Sequence, residues 1–267
     1  MDPTSILEAG RSAIAAVSAD VAALLRSAGS SNIPIPLAEW TVREAAVHLV
    51  NFAAVNADVA AGMASPRLSA EKTHVAADNL RRIADVPETD PDKLARLVLD
   101  GVDRFLEATT GRSGDVEITW HCGLKLGLAE LAGVELAELI LHGYDMATAI
   151  GYPWPIDPLH ALIVLNGYGP AFGLVVNHER AQGLNAGFGI ELRGGPAFTA
   201  RFVDGQYQVE PADSGPVDCT ISADPVAFLL VGSGRLDPVA AVALGLLSAG
   251  GERPELALAF NQLFVYP

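Results

Sequence analysis

Trp40-Thr41-Val42-Arg43-Glu44-Ala45-Ala46-Val47-His48-Leu49-Val50 decides the reading of this chain. Thr41 followed three residues later by Glu44 is a capping box. The threonine hydroxyl takes the Glu44 backbone N–H and the carboxylate reaches back to the Thr41 N–H, so a helix begins at Val42. His48 then sits on a helix among Val47, Leu49, Val50 and Phe52, and a polar side chain in such surroundings needs a partner. Glu44 also stands four before His48, but its place in the cap already explains it.

A second stretch, Glu138-Leu139-Ile140-Leu141-His142-Gly143-Tyr144-Asp145, offers that partner. On a helix Glu138 and His142 lie on one face, one turn apart, where both can reach a single ion. A third ligand from another helix closes a His, Glu, His site. Two histidines and a carboxylate suit a catalytic zinc with an open position, and equally the facial triad of non-haem iron, so the metal is zinc or another divalent ion. The same pair also reads as a plain surface ion pair or a satisfied core histidine; the flanking Leu136, Leu139, Ile140 and Leu141 favour the site. Glu135 lies about 10.5 Å from His142 along the axis, too far to share an ion easily. Asp145 fits either as a ligand or as an acceptor that orients an imidazole.

The Trp-Thr-Val-Arg-Glu and His-Leu pattern of residues 40–49, followed by the Glu138 to Asp145 pattern, resembles the DinB-like metal-binding domain of the mycothiol-dependent maleylpyruvate isomerase family. The resemblance covers roughly residues 1–155 and implies metal ligands at His48, Glu138 and His142, with zinc as the usual ion. The last third is similar to sterol-carrier-type domains: Asp218 to Asp224, a helix from Pro225, the Gly234-Arg235-Leu236-Asp237-Pro238 connection, and Gly250-Gly251-Glu252 before the end. Family members carry a small domain of this kind after the bundle, so the two halves support one another. The resemblance thus implies an α+β multidomain chain: a DinB-like up-down four-helix bundle over 1–155, a helical connection over 156–183, and a small sterol-carrier-like α+β domain over 184–267.

Composition agrees. At 267 residues, with 50% apolar and only 18% charged residues, the chain can bury two ordinary cores. A net charge of −15 with 17 dispersed Lys and Arg argues against nucleic acid as a partner. Cys122 and Cys219 form no Cys-x-x-Cys or disulfide pattern, and Cys122 reads as a buried small hydrophobe rather than a nucleophile. His121 reads as a pocket residue. No secretory leader and no run of about 18 apolar residues is visible, so the expectation is a cytoplasmic protein with no membrane partner.

Along the chain, Ile14, Val17, Val21, Leu24 and Leu25 predict a first helix capped by Thr4, and a second runs from Val42 to about Met63. Residues 68–84 and 92–108 read as two more. Val116, Ile118 and Trp120 alternate like a short strand before a helix of about 127–150, which Gly151, Pro153 and Pro155 end. Pro158 to about Arg180 reads as a helix broken by Gly167, Gly169, Pro170 and Gly173. Ile190 and Leu192, then Phe198, Ala200 and Phe202, a turn at Asp204-Gly205, and Tyr207 and Val209 read as strands and a hairpin. Apolar helices are expected over Phe228 to Val231 and Val239 to Leu247.

The chemistry the resemblance implies is thiol-assisted cis-trans isomerisation of a conjugated, electrophilic small molecule, with mycothiol as cosubstrate activated by the metal. Alternatives are a mycothiol S-transferase in detoxification, which would leave the thiol attached, and a non-enzymatic protein whose sterol-carrier-like domain holds an apolar ligand. A dicarboxylate substrate needs positive partners, for which Arg235 is the first candidate, with Arg201 and Arg253 behind it.

Overall fold

Helix α1 (Pro3–Ser27) starts at a cap made by Asp2, whose carboxylate accepts from the backbone N–H groups of Thr4 and Ser5. The cap is thus Asp2 rather than Thr4, with Pro3 at the first helical position, where its missing N–H costs nothing. The computed structural model describes residues 2–36, 38–66 and 75–265. They fall into two compact units, Met1–Ile156 and Asp157–Pro267.

In the first unit α1 is followed by α2 (Val42–Ala60), α3 (Val75–Ala84) and α4 (Pro91–Thr109), then a two-stranded hairpin, β1 (Glu117–Thr119) and β2 (Lys125–Gly127), and α5 (Leu128–Ile150). The Thr41 and Glu44 capping box is present at the start of α2. Of the helix expected over 68–84, the part at residues 68–74 lies outside the described residues. The alternation at 116–120 resolves as the hairpin, with a 3-10 turn at His121–Gly123 between its strands. Gly151, at φ 70°, ends α5 in the left-handed region that glycine tolerates.

Four helices make the bundle, with α1 and α2 each packed between α4 and α5. Contacts fix their directions. Arg43, at the start of α2, donates to the Glu88 carbonyl just before α4, while Arg112, just after α4, donates to the Ala60 carbonyl at the end of α2. These two helices are therefore parallel neighbours. Such neighbours cannot be joined by a tight turn, and the chain uses a crossover containing α3. Gly101 permits their close approach, since a Cβ there would stand 3.3 Å from that of Ala53. Arg26 near the end of α1 pairs with Asp92 at the start of α4, so those two are antiparallel. Helices α2 and α5 also run antiparallel, as Asn56 meets Glu135 and His48 meets Glu138. The core is continuous from Leu7, Ile14 and Leu25 through Leu94 and Phe105 to Leu128, Leu131 and Leu136.

The second unit contains α6 (Pro158–Ala171), α7 (His178–Ala181), β3 (Ala186–Leu192), β4 (Ala197–Val203), β5 (Gln206–Pro211), β6 (Cys219–Ala223), α8 (Pro225–Gly232), α9 (Pro238–Ala243), β7 (Leu247–Gly250) and α10 (Ala257–Phe260). Its sheet has the order β5-β4-β3-β6-β7, antiparallel except for the β3 and β6 pair. Asp204 and Gly205 both have positive φ, 50° and 78°, which matches a two-residue hairpin turn to the twist of β4 and β5. Phe188, Ile190, Phe202 and Ile221 face the core. One expectation is corrected: the apolar run from Val239 is helical only to Ala243, Gly245 turns the chain at φ 69°, and Leu247 begins β7. Apolarity alone cannot distinguish a buried strand from a buried helix. Among the described residues no helix is long and apolar enough to cross a membrane.

Candidate metal centre

Because α2 and α5 are antiparallel, the second turn of α2 lies beside the C-terminal half of α5. His48 Nε2 stands 3.0 Å from Glu138 Oε2, and His142 Nε2 stands 3.3 Å from the same oxygen. One donor atom from each of the three residues lies within 4.8 Å of the other two. This is a donor set of the kind that holds a divalent ion: two imidazole nitrogens and a carboxylate oxygen from two helices. The site is sheltered, with the side chains of His48, Glu138 and His142 only 8%, 17% and 18% exposed.

Aromatic rings pack around it. Trp40, just before the Thr41 cap, lies with its ring 4.9 Å from that of His48 and 5.5 Å from that of His142, stacked on the latter. The fixed helix start thus places an indole against both imidazoles. Asp145 Oδ2 is 3.4 Å from His142 Nδ1. It therefore meets the ring on the opposite nitrogen from Glu138, the position of an acceptor that orients an imidazole.

Burial favours the uncharged form of Glu138, but hydrogen bonds from His142 and His48 and their charges outweigh it and hold this carboxyl well below the usual carboxylate range. Burial works against charging His142 too, yet Asp145 and Glu138 raise its pKa to about 9. Glu135 has a different environment. It does not join the triad, being buried beside Asn56, whose Nδ2 donates to its Oε2 at 2.8 Å. Burial, helped by the charge of Glu138, pushes its pKa up to about 8.

Asn56 in turn accepts from Trp120 Nε1 at 3.0 Å, and Trp120 stacks on His121 with ring centroids 4.3 Å apart. His121 is buried, contacts Ser65 Oγ through Nδ1 at 2.8 Å, and lines a pocket together with His48. Cys122 beside it is half-buried, not fully buried as its sequence suggests, and adopts φ 55° at the tip of the hairpin. Sequence reasoning did not find Trp40, Asn51, Asn56 or Arg82 as neighbours of the site. Asn51 and Asn56 carried a signal, being amides within an apolar helix; Arg82, beside Arg81 in a charged segment, carried none. Arg235 lies in the second unit, in the turn after α8, with Nη1 donating to the Ser233 carbonyl. Arg201 pairs with Glu210, and Arg253 with Asp218 and Glu255.

Comparison with known proteins gives a consistent result. The sequence model of the mycothiol maleylpyruvate isomerase N-terminal domain matches residues 11–147, and that of the SCP-2 sterol transfer family matches residues 175–265. A crystal structure of the mycothiol-dependent maleylpyruvate isomerase superposes with a TM-score of 0.55 at 15% identity, over 91% of this chain and 92% of that one. A point mutant of that enzyme gives 0.54 at the same identity and coverage. These structures share the fold. No curated protein matches the chain. A helical bundle and a small sheet domain, in this order and each matched by its own model, make the chain a member of the mycothiol maleylpyruvate isomerase family.

Proposed function

We propose that the chain is a metal-dependent, mycothiol-using enzyme that isomerises a cis double bond conjugated to a carbonyl in a small electrophilic substrate. The observation that carries this reading is the convergence of His48 Nε2, Glu138 Oε2 and His142 Nε2 within 4.8 Å. The donor chemistry fits zinc or another divalent ion, which His48, Glu138 and His142 would hold. A bound ion and the thiol together would supply a thiolate held at neutral pH, able to add reversibly to the conjugated bond and so release it as the trans isomer.

The roles of the protein's own groups follow from their places. Glu138 stays ionised, so it offers a formal negative charge to a cation. Asp145 accepts from His142 Nδ1 and thereby leaves Nε2 as the ligand atom. Trp40 and Phe52 flank His48 with their rings. The test is turnover with mycothiol and maleylpyruvate. Isomer should accumulate without loss of thiol, and Glu138→Gln should abolish it. Consumption of thiol in step with a stable conjugate would instead establish an S-transferase.

A second reading concerns the C-terminal unit and rests on its own cavity. Phe172, Phe198, Tyr207, Phe228, Phe260 and Phe264, with neighbours, line a pocket of about 40 Å³ that opens to solvent. A lining of this kind suits an apolar group. Co-purified lipid in a protein devoid of metal would favour this non-enzymatic function.

A further inference from the structure

His48 is shared between the metal triad and a pocket inside the first unit. Asn51 comes from the same face of α2, Asn79 and Arg82 come from α3, and His121 comes from the hairpin; Phe52 and Val55 complete the wall. The pocket opens to solvent and its enclosed volume is about 10 Å³, room for one water-sized group, so it can take only the end of a molecule that reaches in from the mouth.

Two observations say what part of such a molecule it would take. Asn51 Nδ2 is buried and has no hydrogen-bond partner among the described residues. A buried donor left unmade is costly and uncommon, and here it belongs to a residue lining a cavity. Arg82 supplies the second. Its Nε donates to Asp78 Oδ2 at 2.7 Å, which fixes the guanidinium from one side and leaves the terminal nitrogens uncommitted by that bond. Those nitrogens form the two-donor edge that matches a carboxylate. In a chain of net charge −15, a guanidinium placed beside a buried imidazole is a local feature.

We infer that Arg82 and Asn51 are a carboxylate-recognition pair, which holds one carboxylate of a small organic acid and lays the rest of the molecule against His48, next to the metal ligands. This rests on the function proposed above and adds to it the residues that select an acidic substrate. The opposing interpretation makes Arg82 half of a surface ion pair with Asp78. Arg81 pairs with the same carboxylate at 2.9 Å but has a side chain 76% exposed against 31% for Arg82, and it does not line the pocket. Arg81 is therefore the internal control.

The experiment is titration of maleate into the zinc-loaded full chain, followed by calorimetry, with zinc content measured on every variant. Wild type should bind maleate. Arg82→Gln should weaken binding at least tenfold with zinc content unchanged, Arg82→Lys should weaken it less, and Arg81→Gln should leave it alone. Asn51→Asp, which sets a carboxylate where the buried amide stood, should abolish binding and serves as the second reading should Arg82→Gln fold poorly. Equal maleate affinity in Arg82→Gln and wild type, or no maleate binding by zinc-loaded wild type, overturns the inference while leaving the metal site standing. Wild type that takes up no zinc but binds maleate through Arg82 refutes the metal reading and leaves the carboxylate pair.

Discussion

His48 and Glu138, 90 positions apart in sequence, meet with Nε2 3.0 Å from Oε2. The same carboxylate oxygen is shared with His142, so in metal-free protein a proton on the imidazole stands where a cation would bind. With its pKa raised to about 9 by Asp145 and Glu138 against the effect of burial, His142 holds that proton at neutral pH. Zinc uptake should therefore release a proton, and apparent zinc affinity should rise about tenfold per pH unit for that one proton between pH 7 and pH 9. Competition with a chromophoric chelator at several pH values measures this. An affinity flat across the range would contradict it.

Glu135 makes a prediction about stability. Its pKa is raised from 4.5 to about 8 in the fold, by burial foremost. Below the unfolded value both states bind the proton and the contribution is full; as pH rises toward 8 the unfolded state loses its proton first, and stability falls. Metal-free protein should accordingly resist denaturant better at pH 5 than at pH 8.5 as far as this group is concerned. Glu135→Gln keeps the shape of the protonated acid and should flatten that slope. Identical slopes for the two proteins would show that Glu135 is not the titrating group.

Gly143 follows His142 directly, and a Cβ there would lie 2.1 Å from Cζ2 of Trp154. Trp154 is pinned to this helix by its Nε1, which donates to the Ile140 carbonyl at 3.1 Å. Gly143→Ala must push the indole away, at a cost of about 1–3 kcal/mol by the usual scale of overpacking. Denaturant melts should show the loss, and zinc affinity should drop with it because His142 is the adjacent residue. An unchanged melt would mean that Trp154 moves at no cost.

The helical half of this chain was legible where local chemistry is strong. The Thr41 and Glu44 box sets the start of α2, two turns of which lead to His48, and the Gly151 stop sets the end of α5, the helix that carries Glu138 and His142. What local chemistry does not encode is which ends of separate helices adjoin. The parallel pairing of α2 and α4 depends on a close contact at Gly101 and on Arg43 and Arg112 reaching between helices, none of which leaves a periodic trace. The expected helix through Leu247 fails for a related reason: a short apolar run pairs as an edge strand only once β6 is there to receive it. The chain through Glu135, Asn56 and Trp120 escaped notice because its members are far apart in sequence and meet only inside the bundle.

Elemental analysis of metal-loaded wild type and His142→Ala tests the triad most directly. One zinc or other divalent ion per chain in wild type, lost in the variant while its fold persists by circular dichroism, is the expected result. Wild type that takes up no metal at pH 8, or a variant that keeps its full complement, would contradict a metal centre at His48, Glu138 and His142.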